Sequence, residues 1–151
     1  PDPAAIERLR LAVNAAQLGG TFTLRLERFE TVVDPADVVF FEFCLHEMDD
    51  PDAMLRQARL MAPETVVIDH APDSLWAWYV AETAKAARSW EAVERAGIRR
   101  ERRCSGLQQF ANGKELLEKI QSQGEPAVSR ALNHASTDCI EIEMRYRIAL
   151  L

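Results

Sequence analysis

Apolar positions recur along the chain first at helical spacing and then at strand spacing. Asp2 and Pro3 suit the cap and first position of a helix, and Ile6, Leu9, Val13 and Ala16 follow on one face while Glu7, Arg8 and Arg10 turn away. The pattern predicts an amphipathic helix from Pro1 to Leu18, closed at Gly19-Gly20, where glycine accepts a left-handed turn. From Thr21 to Phe29 the period changes to two: Phe22, Leu24 and Leu26 alternate with Thr23, Arg25 and Glu27, predicting a strand with one wetter face.

A second apolar run, Val38 to Cys44, has the length of a buried parallel strand and passes abruptly into polar residues at His46-Glu47. Asp50-Pro51 then opens a helix that carries Met54, Leu55, Ala58 and Met61 on its inner side and closes at Pro63. Thr65 to His70 repeats the first theme, a short apolar strand ending in polar groups. Strand, helix and strand joined by short connections predict a parallel sheet. In open sheets of this kind ligands bind beyond the carboxyl ends of the strands, which points to Glu42–Glu47 and to Asp69-His70.

The remainder predicts one long helix from Asp73 to Ala96, ended by Gly97, with Val80, Ala84, Ala87 and Trp90 inward. Ile98 to Phe110 reads as extended and broken near Ser105-Gly106. Asn112-Gly113 introduces a helix with Leu116, Leu117 and Ile120 on one face, and Glu125 to His134 forms a second short helix. Cys139 to Leu151 alternates and then turns wholly apolar, as a final strand entering the core would.

Composition narrows the function. With 151 residues, 48% hydrophobic and 28% charged, and with no repeat or linker, the chain reads as one domain spanning 1–151. A formal charge of −6 argues against a general nucleic-acid or anionic-membrane binder, and Glu101 within the cluster Arg99, Arg100, Arg102 and Arg103 marks a solvated strand. No apolar run approaches the roughly 18 residues of a spanning helix, and the start lacks a signal pattern, so a cytoplasmic protein is expected. Cys44, Cys104 and Cys139 are odd in number and widely spaced, which predicts buried free thiols and no metal site of paired cysteines.

The stretch Asp37-Val38-Val39 through Leu45-His46-Glu47 resembles the fourth strand, and the turn after it, of class I S-adenosylmethionine-dependent methyltransferases. The order of the other elements extends the resemblance over nearly the whole chain. Leu24–Phe29 is similar to the strand before the adenine-contacting acidic turn, Val66–His70 to the fifth strand, and Ile140–Leu150 to the last antiparallel strand. The resemblance implies an α/β fold: a partial Rossmann-like sheet, mostly parallel with an antiparallel C-terminal strand, and helices on both faces. It covers the carboxyl-terminal two-thirds of such an enzyme. The family's glycine-rich cofactor loop and the acidic residue that holds the ribose have no counterpart, because Gly19-Gly20 ends a helix instead of starting one. In the family's order the first two strands lie between 21–29 and 38–43. The expectation is therefore that residues precede Pro1, or that these two strands pair directly, or that the open edge Val38–Phe43 joins a second copy.

The resemblance also implies a site. S-adenosylmethionine would meet Glu27, Arg28 and Phe29 at its adenine end, and Glu42, Phe43 and Cys44 at its methionine end. The acceptor would lie near His46, Glu47 and His70, beneath an aromatic cover from Trp76 and Tyr79. Trp76, Trp78 and Tyr79 cannot all face inward within one helical turn, so at least one is exposed or meets a partner, and this segment is a second candidate for a homodimer contact. Asp69 and His70 could act as acid or base. No catalytic residue and no metal ligand is assigned. Methyl transfer to a small-molecule acceptor is the leading function, and a non-catalytic methyltransferase-like scaffold or oligomerisation module is the alternative.

Overall fold

Four strands form one sheet in the computed structural model of the protein, which describes residues 2–151. Pro1, placed at the start of the first predicted helix, lies outside the described residues. The chain forms two compact units, one ending at Asp34 and the other running from Pro35 to Leu151.

The first unit contains α1 (Pro3–Ala15), capped by Asp2, whose carboxylate accepts from the Ala4 amide at 2.9 Å. The helix stops before the glycines. Gln17 takes the left-handed conformation at φ 58°, and the Leu18 and Gln17 amides donate back to the Val13 and Asn14 carbonyls, closing the last turn in the way a glycine usually does. The predicted strand Thr21–Phe29 is not formed: residues 21–28 pair with no strand among the described residues, and a short 3-10 turn follows at Phe29–Thr31. Alternation supplies a face but no ladder partners, and a strand without a neighbour has no backbone hydrogen bonds to gain over water. Phe22 and Leu26, on the supposed inner face, are 52% and 49% exposed.

The second unit holds the sheet. Its strands are β1 (Val38–Glu42), β2 (Glu64–His70), β3 (Arg100–Asn112) and β4 (Asp138–Leu150), in the order β1-β2-β4-β3. β1 and β2 are parallel, and β4 runs antiparallel to both β2 and β3, so three strands share one direction and the C-terminal strand opposes them, as expected. β1 ends the sheet. Between β1 and β2 crosses α2 (Pro51–Met61), started by Asp50, whose side chain accepts from the Ala53 amide at 2.8 Å.

Strand alternation gives the sheet two differently covered faces. Val39, Phe41, Thr65, Val67, Asp69 and Ala149 are buried on one. Met54, Leu55 and Ala58 of α2, and Ala86, Trp90 and Val93 of α4 (Thr83–Ala96), cover it. Ile140 and Ile142 fall on the other face, where they join Phe110, Trp76 of α3 (Leu75–Tyr79), Leu116 and Ile120 of α5 (Gly113–Ile120), and Ala127 and Ala131 of α6 (Glu125–Leu132). Helices thus lie on both faces.

Two expectations for this unit are corrected. The helix predicted from Asp73 to Ala96 is two helices, α3 and α4, separated at Val80–Glu82. Ala81 is left-handed at φ 61°, and the Glu82 and Ala81 amides donate to the Ala77 and Trp78 carbonyls, the same closure as at Gln17. The break predicted at Ser105-Gly106 is absent: β3 runs unbroken because each of its residues there has a register partner on β4. The cysteines are free as expected, but Cys44 and Cys104 are half-buried and Cys139 is exposed.

α5 begins where β3 ends, with the Asn112 side chain accepting from the Glu115 amide at 3.1 Å. A Cβ on Gly113 would sit 2.0 Å from the His134 carbonyl oxygen, so no side chain fits between the start of α5 and the backbone of the turn after α6. Gly113→Ala is expected to destabilise the protein by about 2 kcal/mol or more, the cost of forcing apart packed backbone. Urea unfolding would show a lower midpoint at unchanged slope.

Candidate functional site

The carboxyl ends of β1 and β2 lie side by side, with Glu42 level with Ile68. Beyond β1 the chain turns sharply. Phe43 adopts φ 47° while its amide donates to the Ile68 carbonyl at 2.8 Å, and a 3-10 turn at Leu45–Glu47 follows. Left-handed backbone at an aromatic residue costs about 1–2 kcal/mol and persists only where surrounding contacts enforce it. Here it sends Leu45 and His46 inward, both buried.

Asp69, near the end of β2, is fully buried. Its Oδ2 accepts from the His46 amide at 2.9 Å, and its Oδ1 accepts from the His70 amide at 2.9 Å and lies 2.5 Å from His46 Nδ1. Ser89 Oγ of α4 stands 3.5 Å from Oδ2. The carboxylate therefore fixes the His46 ring with Nδ1 toward itself and Nε2 turned away. Nε2 lies 3.3 Å from Glu82 Oε2 and 3.4 Å from Glu47 Oε1. Lys85 holds Glu47 at 2.8 Å. The His70 ring lies beside that of His46, centroids 5.3 Å apart, and its Nδ1 is buried without a hydrogen-bond partner among the described residues. Trp90 Nε1 donates to the His70 carbonyl at 2.7 Å and so fixes the end of the strand.

Charge and burial act on these groups in opposite senses. Burial alone would lower the His46 pKa, but the hydrogen bonds and charges of Asp69 and Glu82 outweigh it and raise the ring to about 9. Burial, then the nearby His46 charge, pushes His70 below its ordinary value. Burial also pushes the Cys44 thiol up, as do the Asp69 and Glu42 carboxylates, so Cys44 is kept as a thiol and makes a poor nucleophile.

These groups open onto a cavity of about 380 Å³. Four of the five residues expected near an acceptor, His46, Glu47, His70 and Trp76, line it, and so does Phe43 from the expected cofactor set. Val80, Glu82, Lys119, Ser122 and Gln123 complete the wall and were not anticipated. Tyr79 lies outside the lining. Its hydroxyl is 2.6 Å from His134 Nε2, and its ring meets that of Trp78 edge-on. Trp76 is buried and stacks on Phe110, whereas Trp78 is 45% exposed with the Arg130 guanidinium 4.1 Å over its ring, so it is the aromatic that could not face inward. Glu42 is exposed at the strand end and Cys44 half-buried after it. Glu27, Arg28 and Phe29 belong to the other unit, where Glu27 pairs with Arg25 and Arg28 with Glu30.

Glu82 is the consequential omission. Within an unbroken helix it would be one more solvated acid, and only the left-handed Ala81 turns it inward, leaving it 5% exposed. Asp69 was legible as a strand-end acid, but its contacts with His46 and Ser89 were not.

The fold superposes on a set of solved structures. The cyclase SpnF superposes with a TM-score of 0.57 at 12% identity, over 99% of this chain and 63% of its own. A protein from Bacillus halodurans C-125 assigned as a methyltransferase gives 0.55 at 12%, over 93% and 77%. The chain has a class I methyltransferase fold. A third structure with this fold, from Galdieria sulphuraria and assigned as a sarcosine dimethylglycine methyltransferase, gives 0.51 at 11%, over 98% and 66%. The chain thus spans less than two-thirds of the length of SpnF. No protein-family model matches the sequence, and no curated protein matches it. Because a cyclase shares the methyltransferase fold, the fold alone does not fix the reaction.

The His46–Asp69 pair makes stability depend on pH in a defined sense. The folded His46 value, about 9, exceeds the ordinary 6.5, so the pair's contribution is complete below about pH 6.5 and is lost as pH rises through about 9. For His70 the shift is downward, so charging it costs stability as pH falls below its ordinary value. Urea unfolding of chelator-treated protein is expected to show greatest stability near pH 6.5, with the alkaline decline absent in His46→Asn. Asp69→Asn, which strips a buried cation of its counter-charge, is expected to cost about 3–5 kcal/mol in the same assay.

Proposed function

We propose that this chain forms the acceptor-binding part of an S-adenosylmethionine-dependent methyltransferase, and that the acceptor is a small molecule held in the cavity beyond β1 and β2. The observation that carries the reading is the placement of that cavity: it lies at the carboxyl edge of two parallel strands, where open sheets bind ligands, and it gathers four of the five residues that the resemblance implies for the acceptor. A volume of about 380 Å³ is that of a small-molecule site.

The residues suit a cationic sulfonium. The Phe43 ring and the Glu47 and Glu82 carboxylates all face the cavity, and both aromatic faces and carboxylates favour a positive centre. Phe43, with Glu42 and Cys44 beside it, would hold the methionine end of the cofactor. When bound, the cofactor supplies an activated methyl group, so the protein need not provide a nucleophile. What the chain's own residues supply is position and dryness. Trp76 and Val80 form an apolar wall that excludes water. The Glu82 carboxylate, at the cavity wall, can accept a hydrogen bond from an acceptor hydroxyl or amine. Asp69 holds the His46 ring, and hence Nε2, in one orientation. Among the described residues no helix is long and apolar enough to cross a membrane, and three free cysteines accord with a reducing cytoplasm.

Calorimetric titration of S-adenosylhomocysteine into the purified protein tests this reading. Saturable micromolar binding is expected, weakened at least about tenfold, or about 1.4 kcal/mol, by Phe43→Ala in a protein that keeps its circular dichroism spectrum. A folded protein that binds neither S-adenosylhomocysteine nor S-adenosylmethionine would overturn the reading and leave the scaffold role.

A further inference from the structure

We propose that His46, His70 and Glu82 form a binding site for a divalent transition-metal ion of the zinc type, with a free coordination position facing the cavity. The inference does not depend on methyl transfer. It stands on a buried cluster of three ligand groups, one of which, His70 Nδ1, has no partner among the described residues.

One ligand atom from each residue lies within 4.8 Å of the other two. The three residues are 3%, 7% and 5% exposed, so each is more than nine-tenths buried. Buried polar atoms are ordinarily paired, yet His70 Nδ1 has no partner among the described residues. His46 Nε2 and Glu82 Oε2 stand 3.3 Å apart. That is long for a charge-assisted hydrogen bond, which closes to about 2.7–2.9 Å. It is the spacing of two ligands on one tetrahedral ion, which metal–ligand bonds of about 2.1 Å put roughly 3.4 Å apart.

The donors are two imidazoles and a carboxylate, a set suited to zinc and to neighbouring transition ions and unlike the all-oxygen sets of calcium or magnesium. The surroundings supply what a metal-binding histidine requires. Asp69 occupies the remote nitrogen of His46 at 2.5 Å, leaving Nε2 for the ion, and such carboxylate–histidine pairs fix the tautomer and ring orientation. The three ligands come from three places: the turn after β1, the end of β2 and the α3–α4 break. Each is set by backbone that is already committed, through Phe43, the Trp90 bond to the His70 carbonyl, and Ala81. All three ligands line the cavity, so the remaining position opens into it. Glu47 also reaches His46 Nε2, at 3.4 Å, but is engaged by Lys85. Proton and metal compete for that nitrogen, so uptake releases a proton.

The test uses Zn²⁺ itself. Chelator-treated protein is equilibrated with Zn²⁺, desalted and assayed for metal by mass spectrometry, and Co²⁺ replaces Zn²⁺ in a parallel sample to report geometry by visible absorption. One equivalent per chain and a tetrahedral Co²⁺ spectrum are expected. His70→Ala and Glu82→Gln should each lower affinity at least about tenfold, while Asp69→Asn, which touches no ion, should lower it about 10–100-fold. His134→Gln, at the third histidine, which is bonded to Tyr79, should bind as the parent does. Circular dichroism separates lost ligands from lost folding. A folded parent protein that retains no Zn²⁺, or uptake that persists unchanged in His70→Ala and Glu82→Gln, would overturn the proposal and mark the cluster as a buried ion-pair network. S-adenosylhomocysteine binding is not read in this assay, so a failure here is distinct from a failure of the methyl-transfer reading.

Discussion

The Asp69 carboxylate has no access to water, so its lone pairs must be met by protein groups or the folded state bears the full desolvation cost of a buried anion. The groups that meet it come from three separate segments. The His46 amide and ring arrive from the turn after β1, the His70 amide from the end of β2, and Ser89 from the middle of α4. One side chain thereby ties the two parallel strands and the helix that covers them into a single arrangement. His46, locked by this anion on one nitrogen, can present only the other to the cavity.

The backbone around the site bends at residues that seldom bend that way. Phe43 and Ala81 both have positive φ, at 47° and 61°. Neither is glycine, so each conformation costs about 1–2 kcal/mol that nearby contacts must offset. Both bends turn side chains inward: Phe43 sets up the entry of His46, and Ala81 that of Glu82. Backbone strain concentrated beside a polar cavity is the usual distribution in proteins whose sites need preorganised groups. The long antiparallel pair of β3 and β4 serves the site indirectly. It carries α5 and α6 over one sheet face, and Lys119, Ser122 and Gln123 close the cavity from there.

A methyltransferase fold is a sheet order and not a reaction, and a cyclase shares it. The chemistry of this chain gathers at the strand ends. Two histidines and three carboxylates, those of Glu47, Asp69 and Glu82, stand within reach of one another, and an aromatic ring borders them. Such a concentration of ionisable groups in a mostly buried setting is expected where a protein binds or positions something. Elsewhere in the second unit the charged groups do simpler work: Arg147 lies 4.0 Å over the Trp90 ring and is held by Glu94 and Glu101.

Local sequence was sufficient for every element whose pattern matched its final environment. Val38–Glu42 and Glu64–His70 read as parallel strands from their apolar runs, although β1 buries only Val39 and Phe41 and leaves Val38 and Phe40 exposed at the sheet edge, and Asp50-Pro51 and Asn112-Gly113 marked helix starts because their side chains cap locally. The strand-end positions of His46, Glu47 and His70 were legible for the same reason. Tertiary structure decided the rest. Thr21–Phe29 alternates like a strand but has no neighbour to complete its hydrogen bonds, and β3 continues through Gly106 because β4 supplies one. The helix break at Ala81 follows no local breaker, so the inward turn of Glu82 could not be read from spacing. Burial of Asp69, and with it the fixed ring of His46, depends on contacts across 23 and 20 residues of chain meeting at one carboxylate. Propensity and period act between near neighbours in the chain, whereas the satisfaction of a buried charge is settled only when distant segments arrive together.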